Sequence, residues 1–554
     1  MVKPRKTAAA GEQLDCDVCI VGAGAAGISV ALSFLGRAEK VLVFDAGALD
    51  GKQTDQSLYD GEVVNTTHAS PTMYRHRRLG GSTAIWGGRC IPFDPIDFEA
   101  RDYVAMSGWP FKRDELDPHY IDAQRILEAG AFDYVAGTAI GGGKLIEGFD
   151  DPDVLTESLE RFSLPTNFWR EYRNKIAASP NVQVVASSTA IKLLRDQSGR
   201  ISELSCLGEH GHSFSVKARV FVVAVGGLET VRLLGFSELG NDNDMLGRTY
   251  MCHVESNVGE LRLQPRDRAI KYGFEKTLDG VYARRRFTLS AERQRTLGVM
   301  NVAVRPHHPS VGDPSHGHPV LSSMFLAKRF IIPEYARRFA AAEQLKGGPA
   351  TNDMALLGRH LKNVVMGLPT MVGFTADWTI KRYLSRRRLP YVALPSAAGA
   401  FPLDFNGEQQ PNLSSRVTLS DTLDRNGVPK LRVDWRLTEL DYRTVTTTLR
   451  EMRNTLQRSN CGDIAFNDAE LEDVVRSNVK PVGGHHIGTA RMSTDPRQGV
   501  VDPDGRLHGV QNVYVASSAT FPTSSQANPT LTIVAMALRL GAHLQTRLKA
   551  GAGL

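Results

Sequence analysis

An α/β fold is predicted, and three observations predict it. Residues 16–45 read as strand, glycine turn, helix, strand and acid. A second apolar run, residues 220–225, feeds a glycine turn and a helix in the same way. Elsewhere strand-like runs alternate with helical patterns through 554 residues, 42% of them hydrophobic, which is enough for two or more domains with large cores.

In the first unit, Val18, Ile20 and Val21 lie in the kind of apolar run that a buried parallel strand shows. Gly22, Gly24 and Gly27 follow as G-x-G-x-x-G, with Ala25 and Ala26 inside the pattern. Gly22 permits the tight turn, Gly24 lets a pyrophosphate approach the backbone, and Gly27 lets helix and strand pack closely. Residues 25–35 read as the helix, ended by Gly36, with its N-terminal amides toward the phosphates. Val41–Phe44 is the second strand. Asp45 closes it about twenty residues past the glycines, where a carboxylate can hold ribose hydroxyls. A carboxylate there argues against a 2′-phosphate, so FAD or NAD is preferred over NADP. The fingerprint leaves FAD and NAD open.

Residues 68–88 are dense in small side chains, with one turn at Gly80, Gly81, Ser82 and Thr83 and another at Gly87 and Gly88. Such turns let backbone approach a flat ligand and offer amides as donors. Residues 113–129 and 158–177 carry helical patterns. Val182–Val185, residues 189–193 and Ile201–Leu207 read as strands of an antiparallel excursion, which a long buried strand over residues 214–225 closes. Gly226 and Gly227 then open a helix. In the middle of the chain helices are expected at 333–345 and 441–457, and a hairpin joins 415–419 to 431–435. Arg386, Arg387 and Arg388, beside Trp378 and Tyr383, form a basic cluster. It is read as a solvated face, with an anionic partner or a membrane surface as the alternative. The last block begins at Gly483-Gly484-His485-His486 and ends in residues 521–532, where Pro529 suits the first turn of a helix running to about residue 544.

Composition excludes several classes. A net charge of +6 on 66 basic and 60 acidic residues implies no nucleic-acid role. The six cysteines are scattered, so neither a disulfide framework nor a metal site is expected. Cys16 and Cys19 are three apart in a strand and point to opposite faces, which argues against a redox pair. The polar start of the chain reads as a disordered lead-in without a signal peptide, and no run of eighteen apolar residues occurs. The expectation is a soluble cytoplasmic protein with no transmembrane segment and no metal.

With these blocks in hand, the chain resembles the glucose-methanol-choline (GMC) family of flavin oxidoreductases. The matching text is GAGAAG at 22–27, GGSTAIWGG at 80–88, VGGLETVRLL at 225–234, LGRTYMCH at 246–253, HHIGTARM at 485–492 and NVYVASSATFPTSSQANPTLT at 512–532. The resemblance implies FAD, held in a Rossmann-like α/β domain built from discontinuous segments, beside an α+β substrate domain with an antiparallel sheet. The FAD segments would be 13–90, 180–258 and 478–550, and the substrate segments 91–179 and 259–477. Thr189 and Ala190 would lie beside the adenine, and Gly81, Ser82, Gly87 and Gly88 along the pyrophosphate and flavin. Ala46, Arg78, Gly80, Thr83, Trp86, Val225, Gly226, Gly227, Ala519, Asn528, Pro529 and Thr530 complete the implied cofactor set. H-x-x-G-T places the family's active-site histidine at His485, and the partner position falls on Asn528. Many members have Asn where this chain has Trp86, and Asp where it has Ser517 and Ser518. Ile85 stands where members with covalent flavin carry His, so FAD is expected to be noncovalent. The branch resembles bacterial sugar and glycoside dehydrogenases and oxidases. The implied reaction is oxidation of a sugar, glycoside or polyol CH–OH to a carbonyl, with oxygen or a redox carrier as electron acceptor. A sterol or simple-alcohol oxidase and a NAD-dependent dehydrogenase are the alternatives.

Overall fold

The computed structural model describes residues 4–551 apart from 66, 309–310, 313, 328–353, 392, 395 and 397–398. The helix expected at 333–345 lies outside these residues. The first sheet has seven strands: β1 (Gln13–Val21), β2 (Val41–Phe44), β3 (Val182–Val185), β4 (Thr189–Arg195), β5 (Ile201–Leu207), β6 (Ser213–Val223) and β7 (Val513–Val515). Their order is β3-β2-β1-β6-β5-β4, with β7 also on β6. The strands β3, β2, β1, β6 and β7 run parallel, and their buried residues are apolar on both faces. The strand β6 changes neighbour along its length. Residues 213–216 pair antiparallel with β5, and residues 221–223 pair with β7.

Helix α1 (Ala25–Ser33) follows β1, α2 (Gly226–Phe236) follows β6, and α3 (Thr530–Ala550) closes the chain six residues past the expected end. Two glycines of the fingerprint are required sterically. Gly22 has φ +103, and a Cβ on Gly27 would stand 1.8 Å from the Gly22 carbonyl oxygen. The expected helix over 158–177 is instead a strand, Leu159–Phe162, and a helix, Phe168–Ala178. Pro165 interrupts the pattern, and Asn167 accepts from the Arg170 amide to start the helix afresh. The pattern at 113–129 narrows to Asp117–Ile126 after a single 3₁₀ turn. The expected hairpin forms between Arg416–Leu423 and Pro429–Asp434.

A second, antiparallel sheet is ordered Gly462–Ala465, Glu260–Leu263, Ala400–Gly407, Val302–Pro306, Phe287–Leu289 and Val154–Leu155. Val254–Ser256 and Lys480–Pro481 join it at the side. The long helix Glu439–Arg458 covers one face. Its Val445, Leu449, Met452 and Leu456 share a core with Leu261, Leu403 and Ile464. Each of those four burials stabilises by about 1.5–3 kcal/mol. Thr438 and Asp441 start that helix as a capping box.

Candidate active site

A cavity of about 980 Å³ opens between the two sheets. One arm is lined by the glycine turns that follow β1 and β6. Gly22, Gly24, Ala25, Ala26, Asp45, Ala46, Arg78, Gly81, Ser82, Thr83, Trp86, Gly87, Thr189, Ala190, Val225, Gly226 and Gly227 all border it. Gly27, Gly80, Gly88 and Ala519 stand behind that lining. The first three make close backbone approaches there, and Ala519 is fully buried. A Cβ on Gly24 would meet nothing within 4 Å, so only glycine leaves that space to a ligand. Among the described residues, the buried Nε atoms of Arg77 and Arg78 have no hydrogen-bond partner. An open glycine turn beside two uncommitted guanidinium nitrogens fits a diphosphate.

Asp45 is more engaged than the sequence suggests. Its two oxygens accept from the amides of Ala23 and Gly47, each at 2.7 Å. Burial raises its pKa against these bonds and the charge of Arg77. Each oxygen keeps a second lone pair for a ribose hydroxyl. Ser517 and Ser518 also border the cavity, and the Ser518 hydroxyl donates to the His486 carbonyl at 2.7 Å.

The other arm ends at His485 and Asn528. Asn528 Nδ2 lies 3.1 Å from His485 Nε2, while Asn528 Oδ1 accepts from Arg89 at 3.5 Å. That pair of contacts fixes the orientation of the amide. On its other side, His485 Nδ1 lies 2.8 Å from Nδ1 of His253. His253 is fully buried, and burial holds its pKa down to about 4, so the ring is neutral. Its single N–H sits on Nε2, because that nitrogen faces the Ser524 carbonyl at 3.1 Å and a carbonyl can only accept. His253 Nδ1 is therefore a lone pair, and His485 Nδ1 must carry the hydrogen between them. The lone pair of neutral His485 then stands on Nε2, beside Asn528 and the cavity.

The loop carrying Asn528 is pinned from the second sheet and from the short helix Pro95–Phe98. Asn406 donates to the Gln526 carbonyl at 2.5 Å, Arg286 to the Gln526 side chain at 2.6 Å, and Ser525 to Asp97 at 2.6 Å. The loop enters α3 at Pro529 and Thr530, which line the cavity with Ile533. Beneath it, Glu160 is fully buried. Burial raises its carboxyl, but Arg305, Arg89, Arg286 and Arg284 outweigh that and bring it to about 2.

His486, next in sequence, turns to a different set of partners. Its Nδ1 meets the Tyr250 hydroxyl at 2.7 Å, and that hydroxyl also meets His68 Nε2 at 2.8 Å and Cys252 at 3.2 Å. His68 donates from Nδ1 to the Ala69 carbonyl at 2.7 Å, so it accepts from Tyr250. His68, Cys252 and His486 could hold a metal ion by proximity. The Tyr250 hydroxyl already links all three, which accounts for the grouping. The residues the sequence reading passed over are His253 and Arg89. His253 ends a quoted block, and Arg89 follows Gly88 directly. Only the fold brings either to His485 or Asn528.

Residues 411–537 match the GMC oxidoreductase family model. Paromamine 6′-oxidase of Streptomyces fradiae is 23% identical over 94% of this chain and 90% of its own length. The 2-methyl-1,2-propanediol dehydrogenase of Mycolicibacterium austroafricanum is 23% identical over 96% and 95%. Among solved structures, pyridoxine 4-oxidase from "Mesorbium loti" shares the fold with a TM-score of 0.53, at 17% identity and covering 96% and 99% of the two chains.

Proposed function

We propose that the chain is a GMC-type oxidoreductase that oxidises a CH–OH group of a sugar, glycoside or polyol to the carbonyl, with noncovalent FAD. The observation that carries the reading is His485 paired with Asn528 at the end of a cavity whose other arm is a glycine-lined diphosphate cradle. On this reading residues 13–90, 180–258 and 478–550 hold the cofactor, and 91–179 with 259–477 supply the substrate domain. Gly22, Gly24, Ala25 and Arg78 would hold the diphosphate, Asp45 the ribose, and Thr189 with Ala190 the adenine. Trp86, Gly87, Pro529 and Thr530 would border the flavin ring. When bound, FAD supplies the acceptor for the hydride leaving the alcohol carbon.

The protein's own task is the proton and the position of the oxygen. His485 Nε2, the lone-pair nitrogen of the tautomer that the His253 contact selects, accepts the hydroxyl proton. Asn528 cannot act as a base. Its Nδ2, which caps the His485 Nε2 lone pair in the free protein, instead donates to the alcohol oxygen as negative charge develops there, freeing that lone pair for the proton. Arg89, which holds Asn528 Oδ1, adds a positive charge near that oxygen. Ile85 borders the cavity where a flavin-linking histidine would stand, which supports noncovalent FAD.

The test is an anaerobic screen of the yellow purified protein with sugars, glycosides, polyols and simple alcohols. Bleaching of the flavin by at least one carbohydrate alcohol is expected. A colourless protein, or a yellow one that no alcohol bleaches, would refute the proposal. The 2-methyl-1,2-propanediol dehydrogenase likeness keeps small diols in the screen.

A further inference from the structure

Nine of the nineteen large apolar side chains exposed among the described residues fall between 354 and 384. They belong to two successive helices, Met354–Met366 and Leu368–Thr379, and the turn Ile380–Leu384. The inner face of these helices is accounted for. His360 is buried, and Met371, Phe374 and Trp378 pack on Val320, Leu321 and Met324 of the helix Pro319–Leu326. The outer face is a stripe. Leu361, Val365, Leu368, Val372, Ile380 and Leu384 follow one another at whole-turn intervals of three, four or eight residues, and each is at least 52% exposed. A contiguous apolar stripe of this length marks a docking surface.

Charge identifies what it docks on. Residues 354–390 contain seven Lys or Arg and one acid, Asp377, which pairs with Lys381 at 2.8 Å. The stretch thus carries as much net positive charge as the +6 of the whole chain. Arg359, Lys362, Arg386 and Arg388 are exposed. Such a face repels a second copy of itself. An apolar stripe flanked by cations, with Tyr383 exposed at its end, matches a helix lying in the headgroup layer of an anionic bilayer. Among the described residues no helix is long and apolar enough to cross a membrane. Pro390 and Tyr391, just beyond the basic cluster, line the cavity of the active site.

We propose that residues 354–388 dock the protein on the surface of an anionic lipid bilayer. The apolar stripe enters the boundary between headgroups and acyl chains, and the arginines and lysines meet lipid phosphates. The test is co-sedimentation of the holoprotein with phosphatidylcholine vesicles, with and without phosphatidylglycerol. Binding to the phosphatidylglycerol vesicles is expected at least about tenfold tighter than to phosphatidylcholine alone. It should fall with added salt. Two double variants, Val365→Asp with Val372→Asp and Arg386→Glu with Arg388→Glu, should each weaken it at least about tenfold with flavin absorbance and melting unchanged. These side chains are on the surface, so the fold does not depend on them. Equal binding to both vesicle types, or either double variant binding like the parent, would overturn the proposal. So would a parent dimer that the aspartate variant dissolves, because the stripe would then belong to a second copy.

Discussion

Replacing His253 with leucine removes the acceptor that fixes the tautomer of His485. The contact is 2.8 Å long, and the His253 ring is fully buried, so water cannot substitute for it. Leaving a buried donor unsatisfied costs about 1–3 kcal/mol. If that cost falls wholly on the barrier, the rate of flavin reduction drops about 5- to 150-fold. The assay is anaerobic stopped-flow at the flavin absorbance, with saturating alcohol, across pH. The limiting rate should fall while substrate affinity changes little, because His253 does not line the cavity. His253→Asn can accept from His485 with its oxygen and donate to Ser524 with its nitrogen, so it should recover most of the loss. The reasoning fails if the FAD-loaded leucine variant reduces its flavin at the parent rate across pH, or if asparagine does no better than leucine.

Asp45→Ala should lose FAD and stability together, since two buried amides lose their acceptor along with the ribose; Asp45→Asn should keep more of both, measured by flavin content and melting temperature. Acid precipitation should release the yellow colour to the supernatant, and colour left in the pellet would contradict noncovalent FAD. Burial is the main cause holding His68 and His253 down to about 4 and His486 well below its usual value. These rings are neutral in the fold but take protons near 6.5 when unfolded. Their stabilisation is therefore complete above that pH and is lost as pH falls toward 4, by up to about 1.4 kcal/mol per pH unit for each ring. The urea midpoint should drop across that window, and a flat midpoint would contradict the burial argument. Burial, then Glu408 and Asp94, pushes the Asp97 carboxyl up. Asp97→Ala strands the Ser525 hydroxyl and the Asp94 amide and should cost about 2–4 kcal/mol by urea titration, while Asp97→Asn, which keeps one acceptor oxygen, should cost less.

Local chemistry made much of this legible in the sequence. The unit from β1 to Asp45 reads directly, because a parallel strand buried on both faces leaves an unbroken apolar run and its glycines are sterically required. His485 and Asn528 were legible through the text around them, not through anything that says they touch. Their contact at 3.1 Å spans 43 positions and depends on the loop that Asn406, Arg286 and Asp97 pin. His253 was not legible as a partner because its contact spans 232 positions, and a lone histidine before a short strand carries no signature. The misread helix over 158–177 shows the same limit locally. Leu159 and Phe162 fit a helical spacing as well as a strand, and Pro165 with Asn167 decided between them.

The central claim is that His485 is the base, and His485→Ala tests it most directly. The variant, purified yellow, is mixed anaerobically with the best alcohol from the screen, and flavin bleaching is followed across pH beside the parent and His486→Ala. The account predicts that His485→Ala keeps its FAD and bleaches more slowly by on the order of a hundredfold or more. His486→Ala should lose much less, since its ring is committed to Tyr250. Bleaching of His485→Ala at the parent rate across pH would contradict the account.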